Sequence, residues 1–270
     1  MNTKDDAFPR RRSRTLRVSV AILAVLMFAG FFALGTWQIF RLQWKLALID
    51  RVEQRVHAAV VEAPRAPEWP QVSVETHEYR HVRLRGVYLP QLATRTLAST
   101  ERGAGYWLLT PLCTADGIVM VNRGFLPAGA GGWKAEPAPS VANGAALCPA
   151  ALAAAASAGD AQVTVSGLLR LSEKSGSVLR KNDPARNFWY SRELPAIAQA
   201  RGLPAVAPFF IDVDADGEAP TQTGEAQAPV GGMTVIAFPN NHLVYAITWF
   251  GLALMVAGAA FWVVRHERKG

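Results

Sequence analysis

Two runs without a single Asp, Glu, Lys or Arg bound what this chain can fold into: Val18–Phe40 and Leu243–Val264, one near each end. At 1.5 Å per residue each run of 22 or 23 residues makes a helix of about 33–35 Å, long enough to cross the roughly 30 Å hydrocarbon core of a bilayer. About 200 residues lie between them, enough for one domain with its own core. The chain is 50% hydrophobic and only 18% charged, with a mean hydropathy of +0.12, so dominant disorder is excluded and the apolar character is concentrated at the ends.

The net charge of +7 has a location that decides its meaning. Residues 1–17 carry Lys4, Arg10, Arg11, Arg12, Arg14 and Arg17 against Asp5 and Asp6, and residues 265–270 carry Arg265, Arg268 and Lys269 against Glu267. Basic tails abutting membrane spans are the positive-inside pattern, and the central region is nearly neutral, so nucleic acid is not an expected partner. Both tails are expected in the cytoplasm and the middle outside it. The first run exceeds the 7–15 residues of a secretory core and ends in Thr36-Trp37-Gln38-Ile39-Phe40-Arg41, which reads as an uncleaved anchor. Arg11-Arg12 is read as an ordinary topology signal, and the short basic leader favours a bacterial inner membrane over an organelle.

Past the aromatic belt of Trp37, Phe40 and Trp44 the first helix is expected to continue into water until Pro64, Pro67 and Pro70 stop it. The period then changes to two. His81–Leu89 alternates polar and apolar residues, and further strands are expected at Thr94–Ala98, Gly105–Leu109, Gly117–Asn122, Gln162–Leu171, Phe209–Val213 and Met233–Phe238. One helix is expected over Tyr190–Ala200, and Ala128–Asp160 and Asp214–Gly232 read as surface loops. The expected fold class is an α+β membrane protein with two transmembrane helices flanking a mainly antiparallel extracytoplasmic sheet that can close into a barrel. Its parts are a basic tail over 1–17, a span over 18–40, a β-rich domain over 41–242 with an Ala/Gly/Pro-rich loop at 128–160, a span over 243–264, and a tail over 265–270.

No catalytic constellation is present: there is no Gly-x-Ser-x-Gly elbow, no His-Glu-x-x-His and no phosphate-binding glycine loop. Glu53, Glu62, Glu68, Glu75 and Glu78 read as solvated charges, and His57, His77, His81 and His266 as surface or loop histidines. Cys113 and Cys148 admit a disulfide closing a loop of about 35 residues or two separate thiols, with too few soft ligands nearby for a metal site. His242 stands apart, at the entrance of the second span behind Pro239-Asn240-Asn241, where an Asn side chain can cap the first turn. Trp249, Ala253 and Ala260 share its helical face, with Tyr245 and Ala246 beside it. That surface could receive a flat molecule whose metal is bound by imidazole, as in haem, or His242 could hydrogen-bond at the interface while the alanines admit another helix. Gly251 and Gly258 are expected to meet Ala29 and Ala33 of the first span, leaving the histidine face free.

These residues carry a resemblance. Gly35-Thr36-Trp37-Gln38, Arg41, Trp44-Lys45 and Leu48-Ile49 resemble the membrane-exit motif of the Surfeit-locus, or Shy-type, family of cytochrome c oxidase assembly factors. Gly105-Tyr106 with Thr110-Pro111-Leu112, Val121-Asn122-Arg123-Gly124 with Pro127, and Asn182-Asp183-Pro184 are similar to further family blocks. The closing block, Pro239-Asn240-Asn241-His242-Leu243 with Tyr245-Ala246 and Thr248-Trp249, is the most specific. Phe125, where the family often has Trp, and the long 128–160 stretch depart from the pattern.

The resemblance implies a twice-spanning protein without turnover chemistry that helps build the oxidase catalytic subunit. It implies transient binding of haem a, with His242 as the iron ligand and Tyr245 and Trp249 confining the macrocycle. The implied partners are that subunit, membrane lipid and the haem a synthesis machinery. A scaffold that clasps the nascent subunit without haem is the alternative.

Overall fold

The computed structural model describes residues 14–129, 141–158, 162–173, 181–218, 229–234, 236 and 238–269. In chain order its elements are helix α1 (Arg14–Val56), strand β1 (Val61–Glu62), helix α2 (Val74–His77), strands β2 (His81–Tyr88), β3 (Thr94–Thr100), β4 (Gly103–Thr114) and β5 (Gly117–Pro127), helix α3 (Val141–Ala158), strand β6 (Val163–Leu171), helix α4 (Leu194–Ala200), strand β7 (Val206–Glu218) and helix α5 (His242–Glu267). They form two units, one of the chain up to Arg51 with residues from 237 onward, the other Val52–Ile236.

In the first unit α1 and α5 are both long and apolar enough to cross a membrane. They run antiparallel: Arg17 lies 3.5 Å from Glu267 at one end, Phe31 stacks on Trp249 and Phe32 meets Phe250 edge-on in the middle, and Gln38 reaches His242 at the other end. The packed side of α5 carries Ala246 and Ala253, both buried, and that of α1 carries Gly35, whose added Cβ would lie 2.7 Å from the Phe250 ring. Small residues at the crossing let the backbones approach, which in lipid replaces the hydrophobic drive. The expectation that Gly251 and Gly258 meet Ala29 and Ala33 is corrected. A Cβ on either glycine would meet nothing within 4 Å, and both alanines are exposed on the helix surface.

In the second unit a seven-stranded sheet runs β1-β2-β6-β7-β5-β4-β3, and an extra pairing of β2 with β4 (Val87 to Cys113, Tyr88 to Leu112) closes β2, β6, β7, β5 and β4 into a ring. The pairings are antiparallel except β1 with β2 and β5 with β7. Alternation assigns the two faces. Val82, Leu84, Leu112, Val119, Val121, Val165, Leu169, Phe209, Ile211 and Val213 pack together from all five ring strands. Leu109, Cys113, Ile118, Met120 and Phe210 point the other way and are covered by α3, α4 and Trp189.

Several sequence expectations change here, and the alternative left open for Cys113 and Cys148 is decided. The 128–160 stretch contains α3, because its alanines are the best helix formers and Leu147, Ala151 and Leu152 find the outer sheet face to pack on; residues 130–140 and 159–160 lie outside the described residues. Cys148 in α3 is joined to Cys113 of β4 by a disulfide with a Cα–Cα separation of 5.3 Å, within the usual range. The helix expected over Tyr190–Ala200 begins only at Leu194. Before it, Trp189 bridges Thr96 on β3, and the Asn182 side chain accepts from Tyr190 N and Ser191 N. No strand forms over the described part of Met233–Phe238. The edge of β5 is taken one step earlier by a single bridge between Phe125 and Val230, while β7 runs on to Glu218, past the expected boundary at Val213.

Candidate functional site

Asn241 precedes the first turn of α5 without a side-chain cap, and it is Asn240 that serves the turn, its Oδ1 accepting from His242 N at 3.4 Å. This places the imidazole at the helix entrance, half-buried, with Nδ1 2.8 Å from Oε1 of the buried Gln38. The two family blocks that are 204 residues apart in sequence therefore meet through their polar side chains. Below His242 the face is occupied rather than open: Ala246 and Ala253 are covered by α1, and Trp249 stacks on Phe31 at 5.8 Å. Tyr245 projects away, 53% exposed. Trp37, Phe40 and Trp44 are exposed on α1; Arg41 stacks over Trp44 at 4.2 Å, and Lys45 lies 5.1 Å from the Phe238 ring.

A further family block, Asn122-Arg123-Gly124, lies in the sheet unit. Asn122 is buried on the outer face of β5, donates to Asp212 Oδ1 at 2.7 Å and accepts from Gly124 N at 3.2 Å. Arg123, buried, stacks over Tyr88 at 4.9 Å. Gly124 has φ of +130° with the Val230 backbone against it, so any side chain there would strain the backbone of β5 and collide. The block is thus a structural joint between β5, β7 and the segment around Val230.

Asp212, unremarked in the sequence, is the hub of that joint. It is 3% exposed and also accepts from Arg170 at 3.2 Å, Arg192 at 3.2 Å and Thr234 at 3.0 Å. Arg170 is shared with Glu78 at 2.9 Å, and Arg192 is paired with Glu173 through two guanidinium contacts and a main-chain bond. Burial alone would lower the Arg170 pKa, but Asp212 and Glu78 outweigh it and raise the value. Burial alone would raise the Glu173 carboxyl, but the Arg192 guanidinium and its hydrogen bonds hold it below the ordinary range. The readings of Glu78 as a solvated charge and of His81 as a surface or loop histidine are corrected: Glu78 is mostly buried on Arg170, and His81, in strand β2 and partly buried, lies 2.5 Å from Asp214. The available signal was a carboxylate in the middle of the apolar strand Phe209-Phe210-Ile211-Asp212-Val213. Among the described residues no group of three or more His, Cys, Asp or Glu is arranged to hold a metal ion.

Comparison with known proteins gives these blocks a common origin. The model of the SURF1 family matches residues 25–254. Surfeit locus protein 1 of Mus musculus is 33% identical over 264 residues, covering 91% of this chain and 75% of the mouse protein. The Xenopus tropicalis protein of that name is 30% identical over 92% of this chain and 76% of its own length, and the Homo sapiens one 30% identical over 82% and 70%. With the sheet joint, the His242 block and parts of both candidate membrane helices inside the matched span, the chain belongs to the SURF1 family.

Proposed function

We propose that this protein is a membrane-bound assembly factor for a haem–copper cytochrome c oxidase, one that holds haem a as cargo on His242 and yields it to the oxidase catalytic subunit. The family membership supports the assembly role. The observation that carries the haem reading is the His242 ring, placed at the entrance of α5 with one nitrogen engaged by Gln38. An imidazole whose second nitrogen is held by a neighbouring polar group is the usual donor arrangement of a protein metal ligand. His242 would supply the iron ligand, and Tyr245, more than half exposed, would bound the macrocycle; Trp249 would act by holding α5 to α1 through Phe31. Held this way, haem a would be shielded from water and side reactions until the subunit offers stronger axial ligation, so useful but limited affinity is required. No turnover chemistry is assigned to the protein.

The proposed location is a bacterial inner membrane, crossed twice, with the Arg-rich tails in the cytoplasm and the sheet domain in the periplasm. The arginines flanking the two spans support this orientation. A reporter fused after Gly270 should be active only in its cytoplasmic version.

One observation favours a second reading: the face below His242 is packed against α1, as in a scaffold whose helices are already satisfied. Purification after co-expression with haem a synthesis enzymes separates the two. The cargo reading expects a haem spectrum that His242→Ala reduces and changes at unaltered protein abundance. The scaffold reading expects no haem.

A further inference from the structure

We infer that Gln38 is a positioning residue for His242: it fixes the imidazole tautomer so that Nε2 is the nitrogen offered to iron. The inference rests on the haem reading above. With Gln38 Oε1 as the atom that faces His242 Nδ1 at 2.8 Å, an oxygen that carries no proton, the bond assigns the proton to Nδ1 as donor. A neutral imidazole has one such proton, which leaves the Nε2 lone pair for a metal. Gln38 is suited to hold this geometry because it is only 9% exposed and sits one turn from Gly35, where the absence of a side chain lets Phe250 of α5 lie against α1. The bond therefore couples the helix crossing to the orientation of the ring.

The identity of the acceptor also matters. A carboxylate in this place would draw the Nδ1 proton strongly and make His242 a tighter, more anionic ligand; a neutral amide orients the ring with a weaker pull. That difference fits a protein that must give its cargo up. Gln38 thus sets both which nitrogen binds and how strongly.

The test uses the full-length protein in detergent micelles with 15N-labelled histidine and haemin as the probe. Without haemin, the His242 nitrogen resonances, assigned by their loss in His242→Ala, should show Nδ1 protonated and Nε2 bare, and Gln38→Leu should mix the two tautomers. With haemin bound and reduced, the iron–histidine stretching frequency should fall in Gln38→Leu and rise in Gln38→Glu, and the haemin affinity of Gln38→Leu should drop about 10- to 100-fold. Equal helix content of the variants by circular dichroism keeps misfolding apart from lost ligation, and Gln38→Glu keeps a polar side chain should Gln38→Leu disturb the helices. Protonated Nε2 in the wild type, or a His242-dependent haemin spectrum whose frequency neither Gln38 variant moves, overturns the role of Gln38 alone. No His242-dependent haemin spectrum in the wild type overturns the haem reading, while the tautomer measurement still reports on the Gln38 bond.

Discussion

Replacing Asp212 with alanine removes the one carboxylate that four donors share in the outer layer of the sheet. Asn122 at 2.7 Å and Arg192 at 3.2 Å reach Oδ1, and Arg170 at 3.2 Å and Thr234 at 3.0 Å reach Oδ2. Breaking a buried charge pair by removing one partner costs about 3–5 kcal/mol, chiefly because the other charge is stranded. Here neither guanidinium is fully stranded, since Arg170 keeps Glu78 and Arg192 keeps Glu173. Asn122, 4% exposed, loses its acceptor, at about 1–3 kcal/mol. The lower end of the pair range therefore applies, about 3 kcal/mol. With a urea dependence near 2 kcal/mol per molar, the midpoint should fall by about 1.5 M. Urea unfolding of the full-length protein in micelles, followed by the fluorescence of tryptophans such as the buried Trp189, measures it. Arg83→Ala is the control: its partner Glu62 is on the surface, with side chains 57% and 63% exposed, and the expected cost is about 0–1 kcal/mol. A shift for Asp212→Ala no larger than that of the control would refute the assignment of Asp212 as a hub.

Other perturbations test other parts of the molecule. Replacing Cys113 and Cys148 together with alanine opens a loop of 35 residues and should destabilise the sheet unit by up to about 4 kcal/mol, read as a lower urea midpoint that added reductant no longer changes. Because the Glu173 pKa is lowered by its Arg192 pairing, the stability it supplies is present above the unfolded-state carboxyl value and is lost as pH falls through the lowered one; Glu173→Gln should flatten the loss of stability below about pH 4.5 in pH-dependent urea titrations. His77, lowered from 6.5 first by burial and then by Arg80, has the same sign and adds a window opening as pH falls below 6.5, which His77→Phe should remove. Gly35→Leu puts a side chain where the Phe250 ring lies at 2.7 Å and should force the helices apart, lowering energy transfer between labels on α1 and α5 without lowering helix content.

How much of this was legible follows the length scale of each interaction. The two charge-free runs specify helices unaided, because in lipid every main-chain polar group must be satisfied within its own segment. The alternation of His81–Leu89 gives β2 for a similarly local reason, and the lone functional candidate, His242, stands out because a helix entrance is readable from Pro239-Asn240-Asn241. The sequence reading also failed where tertiary packing decided the outcome. The Ala-rich stretch after residue 128 reads as loop until an outer sheet face and Cys113 give α3 something to pack on, and Met233–Phe238 reads as strand although the edge of β5 is already occupied by Val230.

The sequence by itself determined the number and place of the membrane helices, the β character of the domain between them and the separation of basic tails from a nearly neutral middle. These follow from runs and periods within a few dozen residues. Tertiary structure alone decided that Gln38 faces His242 across 204 residues, that the histidine face rather than the glycine face of α5 packs on α1, and that Asp212 gathers Asn122, Arg170 and Arg192. Which face packs depends on how the small and large residues of two helices interdigitate. A buried charge finds its partners only when strands distant in the chain come into register, so neither outcome is encoded in any local pattern.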